Sequence, residues 1–362
     1  MKIAVLGVGL IGGSIGLAAR RRLDAGVVGC GRSPERLARA VELGAIDRGA
    51  GSLEEACEAA DVVFCCGPVA ALPEQARAAL AASGPETVVT DVGSTKGELV
   101  EAVGGDERFI GGHPLAGAET AGVENAREDL FEGARWYLTP TEHSSGLLYD
   151  RLQRTLAALG ARPQAIDPES HDRLMAAISH LPHVLANVLA CEAADSLTQD
   201  TERLPDVGPS FRDMTRVAGS NPAIWADIFA TNREAVARSI DSAGERLRRA
   251  ADLVREGDRE ALAEWHGAAG EARQRLLEAE SEAGPLRELR IVVANRPGTI
   301  AELALALGEA GVNIEDMVLH PAPDMTSGAV TLWVAGDEQA EKAEQLVREL
   351  GHTVTVLGGS PE

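Results

Sequence analysis

Apolar residues fall into three successive rhythms along this chain. Up to about residue 165, short apolar runs alternate with stretches of helical periodicity. Ile3-Ala4-Val5-Leu6, Val27-Val28-Gly29-Cys30, Asp61 to Cys66, Thr87 to Asp91, Phe109-Ile110-Gly111-Gly112 and Arg135 to Thr139 read as strands. Helices are predicted between them around residues 34–43, 53–60 and 73–82. Alternating strands and helices predict a Rossmann-type, doubly wound α/β domain with a parallel sheet over residues 1–165. From Pro168 the strand signals vanish. Leu174, Ile178, Leu181, Leu185 and Leu189 recur at helical spacing, and a second helix starts near Pro222 and carries Ile224, Trp225, Ile228, Phe229 and Val236. A third helix covers Arg259 to Glu280, while residues 199–210, with Pro205, Gly208 and Pro209, read as a loop. An all-helical domain is therefore expected over residues 166–283. Its broad apolar faces exceed what a small bundle buries, so a homodimer is expected. After Gly284-Pro285 the order strand, helix, strand, strand, helix, strand predicts a ferredoxin-like βαββαβ unit over residues 286–362.

The first strand runs into Gly7-Val8-Gly9-Leu10-Ile11-Gly12, a G-x-G-x-x-G pattern, and then a helix. That context makes the glycines a dinucleotide-binding fingerprint. Gly7 permits the tight turn, Gly9 admits a pyrophosphate close to the backbone, and Gly12 lets helix and strand pack closely. The helix start at Leu10 and Ile11 offers free N–H groups to the phosphates. The second half of the fingerprint differs. Strand two ends in Gly31-Arg32-Ser33 rather than in the acid that holds the ribose 2′-hydroxyl of NAD. Gly31 has no carboxylate to repel a 2′-phosphate, Arg32 can pair with one, and Ser33 can donate to it. The cofactor is expected to be NADP or NAD, with NADP favoured.

Composition narrows the partners. With 34 Lys and Arg against 56 Asp and Glu, the net charge is -22, which argues against nucleic acid and anionic membranes. Five cysteines without a C-x-x-C pair fit a reduced, cytoplasmic protein without a structural metal. The chain enters a strand directly from Met1, so no signal peptide is expected, and no apolar run looks long enough to span a membrane.

Candidate chemistry gathers in two loops at the sheet's carboxyl edge, Asp91 to Lys96 and Gly112 to Glu119. His113 can serve as a base near neutral pH, with Ser94 to orient its ring. In the helical region His180 and His183 lie three apart, and Arg212 and Arg216 lie four apart on one helix face, suited to a dicarboxylate.

These blocks together resemble the prephenate dehydrogenase family and its close relative, arogenate dehydrogenase. The resemblance covers roughly the first 280 residues. It rests on the glycine fingerprint, Asp91-x-Gly93-Ser94-x-Lys96, Gly112-His113-Pro114-x-Ala116-Gly117-x-Glu119, Ser179-His180-Leu181-Pro182-His183, and Arg212-Asp213-x-Thr215-Arg216 followed by Trp225-x-Asp227-Ile228. It implies an oxidative decarboxylation of prephenate, or of arogenate, in tyrosine biosynthesis. Hydride passes from the hydroxyl-bearing ring carbon to the nicotinamide, carbon dioxide leaves, and the ring becomes aromatic. By the same resemblance His113 takes the hydroxyl proton and Ser94 holds it. Arg216 binds a substrate carboxylate, with Arg212 where the family has a lysine. His183 binds substrate, Asp172 pairs with the arginine, and Glu119 gates the pocket. The tail, with Asn295-Arg296-Pro297-Gly298 and Gly311-Val312-Asn313-Ile314, looks like an ACT domain. That implies feedback by tyrosine bound near Asn295, Gly298, Asn313 and Ile314, although a tail that only aids dimerisation fits the same residues. A β-hydroxyacid dehydrogenase or imine reductase, or an amino-acid sensor built on the cofactor fold, are the rival readings. His113 and the Arg212/Arg216 pair count against the rival enzymes, and the intact Ser94 and His113 count against the sensor.

Overall fold

The computed structural model describes the chain apart from residues 118–119, 199–206, 281–285, 295, 315, 322–326 and 358–362. It divides into two compact units, Met1–Arg246 and Leu247–Glu362.

In the first unit β1 (Lys2–Leu6), β2 (Gly26–Cys30), β3 (Arg48–Gly49), β4 (Val62–Cys65) and β5 (Val88–Asp91) form a parallel sheet in the order β3-β2-β1-β4-β5. The helices α1 (Leu10–Leu23), α2 (Pro34–Glu42), α3 (Leu53–Cys57) and α4 (Leu72–Ala82) connect them. Strand periodicity explains the near-continuous apolar runs. Ile3 and Val5 join a core with Ile15, Ala18 and Ala19 of α1, while Ala4 and Leu6 join a second core with Ala76, Ala79 and Leu80 of α4.

The single sheet expected from the sequence is two. After α5 (Gly97–Val103), the expected strand at 109–112 meets β5 at one bridge, Val89 to Phe109, and then turns away. It becomes β6 (Gly111–Pro114), antiparallel to β7 (Arg135–Thr139). Helix α6 (Gly146–Ala158) leads to β8 (Arg162–Ala165), which completes a separate three-stranded sheet. The two unforeseen strands give little pattern to read: β3 has two residues, and β8 is mostly exposed and holds Pro163.

The helical region opens with α7 (Pro168–Met175), one π-helical turn at Ala176–His180, and α8 (Leu181–Thr198). Then come α9 (Pro209–Thr215), α10 (Pro222–Thr231) and α11 (Arg233–Glu256). Pro209 and Ser210 begin a helix rather than end a loop; the rest of the expected loop falls largely outside the described residues. The helix expected to run from Pro222 through Val236 breaks at Asn232, whose side chain turns inward to Asp172. Contrary to the sequence expectation, Pro168–Asp195 is long and apolar enough, at mean hydropathy 1.5, for the length of a membrane span. Lipid is the wrong solvent for it, since the side chains it buries include His171, Asp172, His180 and His183.

The second unit holds α12 (Arg259–Glu280) and a four-stranded antiparallel sheet. The chain order is β9 (Leu286–Ala294), α13 (Thr299–Glu309), β10 (Asp316–Pro321), β11 (Ser327–Ala335), α14 (Asp337–Glu349) and β12 (Thr353–Leu357). The strands lie side by side as β10-β11-β9-β12. Leu289, Ile291 and Val293 face a core with Leu303, Leu307, Ala343 and Val347, while Val292, on the opposite face, is 58% exposed.

Candidate active site

Two cavities in the first unit carry the chemistry. The larger, about 560 Å³, is walled by Gly7, Val8, Gly9, Gly31, Arg32, Ser33, Arg36 and the segment Cys66 to Pro68. Gly7 has φ of +110°, and a Cβ there would sit 2.7 Å from the Cys66 carbonyl oxygen. A Cβ on Gly12 would meet the Gly7 carbonyl oxygen at 2.2 Å and Val5 Cγ1 at 2.8 Å, so only glycine lets α1 lie this close to β1. Gly9 is different: nothing lies within 4 Å of its would-be Cβ. That open space sits at the N-cap of α1, whose first turn holds no acidic residue. Leu10 and Ile11 begin the helix packed against the core, and its first-turn backbone N–H groups, which have no partner within the helix, follow directly on Gly9, which lines the cavity. A dinucleotide pyrophosphate fits this cradle.

At the end of β2, Gly31 has only ordinary contact waiting for a side chain, 3.7 Å to Leu37 Cδ2. Arg32 is exposed on the cavity wall, and Arg36 joins it there. Ser33 departs from expectation. Its hydroxyl accepts the Arg36 backbone N–H as the cap of α2 and donates to Glu35 Oε2 at 2.7 Å, so it is engaged locally instead of being held for a phosphate.

The second cavity, about 330 Å³, is lined by Ser94, His113, Pro114, Met175, Ser179, His180, Trp225 and Ile228 among others. The two cavities share a neighbour: α10, which supplies Trp225 and Ile228, packs on the short turn Val69–Ala71, and Ala71 lines the nucleotide cavity. Thr95 and Thr231 join their hydroxyls at 2.9 Å, tying the loop after β5 to α10.

His113 is oriented by a residue that the sequence pattern did not single out. Its Nδ1 lies 2.9 Å from Nε2 of His171, which is fully buried, whereas Ser94 lines the wall of the same cavity. His171 Nδ1 in turn donates to Asp172 Oδ1 at 2.8 Å. Asp172 was expected to pair with an arginine. Its carboxylate instead accepts the backbone N–H groups of Lys96 and Gly97, each at 2.8 Å, and the His171 ring. Burial holds the His113 pKa well below its usual value, with His171, Lys96 and His180 adding to the effect.

His180, which also lines this cavity, is held from outside it by Asn232, whose Nδ2 donates to the Asp172 backbone carbonyl at 2.8 Å and lies 3.2 Å from His180 Nδ1. A carbonyl only accepts, which fixes the amide's orientation and makes His180 Nδ1 an acceptor. His180 therefore carries its proton on Nε2, and burial pushes its pKa down to about 4. His183 does not line the cavity but stacks on Trp225, which does, with ring centroids 3.5 Å apart. Beneath the site Lys96 and Asp91 form a fully buried ion pair. Asp91 also accepts the backbone N–H groups of Gly93 at 2.7 Å and Gly112 at 2.9 Å, pinning β6 and its His113 to the end of β5.

The remaining expected residues lie elsewhere. Arg212 and Arg216 are exposed and do not share one helix: α9 ends at Thr215, and Arg216 opens a 3₁₀ turn running to Gly219. In the second unit Gly298 caps α13 with φ of +92°, Ile314 packs against the sheet core and Asn313 is exposed. Glu119 and Asn295 fall outside the described residues.

A parallel sheet with a glycine cradle at its carboxyl edge, beside a cavity walled by uncharged imidazoles, defines a nicotinamide-dependent oxidoreductase. Comparison with known proteins narrows the class. Residues 15–164 match the prephenate dehydrogenase nucleotide-binding domain, and residues 167–267 match the prephenate dehydrogenase dimerization domain. The prephenate dehydrogenase of Bacillus subtilis (strain 168) is 30% identical over 357 residues, 95% of each chain. The structure of prephenate dehydrogenase from A. aeolicus, in complex with hydroxyphenyl propionate and NAD+, is 32% identical with a TM-score of 0.71. It covers 76% of this chain and 98% of its own. Synechocystis arogenate dehydrogenase is 29% identical with a TM-score of 0.68, covering 76% of this chain and all of its own. The chain belongs to the prephenate dehydrogenase family.

Proposed function

We propose that this chain oxidatively decarboxylates prephenate to 4-hydroxyphenylpyruvate, passing hydride to a nicotinamide. The observation that carries the reading is His113, a neutral histidine on the wall of a cavity served by the same helix that packs beside the nucleotide cradle. His113 takes the proton of the ring hydroxyl as hydride leaves the same carbon. Bound nicotinamide supplies the hydride acceptor. Loss of carbon dioxide aromatises the ring, so the protein need only orient the ring, accept one proton and hold carboxylates. Ser94, Ser179 and His180 are the other polar residues lining the cavity, and they support the orienting of a ring substituent. The family resemblance, not the placement of these side chains, is what supports Arg216 and Arg212 as the partners of the substrate carboxylates and Glu119 as the gating residue.

A second reading, arogenate as substrate, is favoured by the Synechocystis relative, which matches along its whole length. The two substrates differ by a keto or an amino group on the side chain. An assay of nicotinamide reduction at about 340 nm with prephenate and arogenate, each with NAD+ and NADP+, decides between them. Turnover with neither substrate sinks both readings. For the cofactor, the room at Gly31 and the cations Arg32 and Arg36 support NADP used at least as well as NAD.

The tail, residues 286–362, we read as a ferredoxin-like ACT unit that senses tyrosine. Its strand–helix–strand–strand–helix–strand order and the β10-β11-β9-β12 neighbours support this. Calorimetry of tyrosine on the full chain and on a chain cut after residue 283 tests it. Equal binding and equal inhibition in the two would make the tail a purely structural addition.

A further inference from the structure

Three contacts in series determine where the protons of the buried imidazoles sit. Asp172 is an acceptor only, so the 2.8 Å contact with His171 Nδ1 places a proton on that nitrogen. The uncharged form of the fully buried His171 then has a lone pair on Nε2. The facing Nδ1 of His113, 2.9 Å away, must donate to it. His113 is left with Nε2 as its bare nitrogen, on a ring that lines the cavity. The ring of His171 is packed on several sides. Tyr137 meets it edge-on with centroids 5.7 Å apart, His113 does the same at 5.1 Å, and Asp172 is itself anchored by the Lys96 and Gly97 backbone.

We propose that His171, held by Asp172, is a positioning residue that fixes His113 in the tautomer whose Nε2 can accept a proton. The inference rests on the reading of His113 as the base. It adds a task that reading left open. An isolated imidazole divides its proton between two nitrogens, and a base with its proton on Nε2 is useless to the substrate. When His113 takes the hydroxyl proton on Nε2, its Nδ1–H stays bonded to His171. The Asp172 carboxylate lies one ring beyond, where it favours the positive charge that has formed. No proton needs to leave the chain of three residues during the step.

The test uses the full chain. His171→Leu removes the acceptor, and His171→Gln returns one, because the glutamine amide oxygen reaches about as far as imidazole Nε2. His171→Leu is expected to lower kcat by roughly 10- to 100-fold, the span over which a misoriented base loses its effect, with KM for the substrate changed less than about threefold. His171→Gln should recover at least about a third of the loss on a logarithmic scale. Thermal melting of both variants accompanies the kinetics, so that a folding defect is seen as such. Equal losses in the two variants, or a loss carried by KM, would mean that His171 only fills space, and the inference falls. His113→Asn, measured in parallel, separates the two claims. If it retains normal turnover, the base reading fails. If it is inactive while His171→Leu turns over normally, only the positioning role fails.

Discussion

The nucleotide cavity and the histidine cavity are built on opposite principles. The phosphate end of the first is made from one short stretch of chain: Gly7, Gly9 and Gly12 stand within one turn and one helix start, and their spacing creates the cradle. The second is made of side chains brought from far apart. His113 meets His171 across 58 positions, Lys96 meets Asp172 across 76, and Asn232 meets Asp172 across 60. A site of the first kind is robust to changes elsewhere and brittle only at its glycines. A site of the second kind depends on buried polar bonds that hold separate elements in register, and each such bond is costly to leave half made.

The sharpest way to break the second site is from below. Lys96→Met leaves the Asp91 carboxylate buried without its cation, and a loss of about 3–5 kcal/mol in unfolding free energy is expected. Denaturant titration reads it, and a variant as stable as the parent would show that this pair does not hold the loop. Next in size, His113→Asn should cut turnover by a factor on the order of 100 or more while substrate affinity stays nearly intact. The same residue sets a pH expectation. Its lowered pKa keeps the ring unprotonated at pH values where an ordinary histidine is half charged, so kcat/KM should hold level through about pH 6.5 and fall only below it. A half-maximal rate at that pH would contradict the burial argument.

The nucleotide cavity is tested at its rim. Gly31→Asp has space to be accommodated and should swing preference toward NAD by roughly 10- to 100-fold, because a carboxylate there repels a 2′-phosphate. A parent enzyme that strictly requires NAD would overturn the reading of this loop. The smallest effect belongs to Ser33→Ala. Ser33 caps α2, so about 1 kcal/mol of stability should go, seen in thermal melting, and cofactor preference should stay as it was. A change of preference without a change of melting would put the hydroxyl back at the phosphate.

What could be read in the sequence follows the same division. The fingerprint and β1, β2, β4 and β5 were legible because local residues determine them: apolar runs, glycines at fixed spacing and punctuating prolines. The antiparallel turn of β6 was not, since it hinges on Asp91 catching the Gly112 N–H across 21 positions. His113 could be picked out from its loop, and Asp172 from the family pattern. The pairing expected for Asp172 was wrong because nothing in a linear pattern shows that the Lys96 and Gly97 backbone would occupy its carboxylate. His171 stands immediately before Asp172 on a helix whose neighbouring positions, Glu169, Ser170, Asp172 and Arg173, are polar or charged. Only its complete burial in three dimensions marks it as part of the site.

Trp225 has one face against the His183 ring, while its side chain also lines the histidine cavity. A molecule entering the cavity changes the solvent around this indole while the stacked imidazole stays on its other side. Of the four tryptophans, Trp136 is sealed in the sheet core, and Trp265 and Trp333 belong to the second unit. The emission of Trp225 is therefore expected to change when a molecule fills this cavity, a response that titration with a non-reacting substrate analogue, compared with a Trp225→Phe variant, would read before any turnover begins.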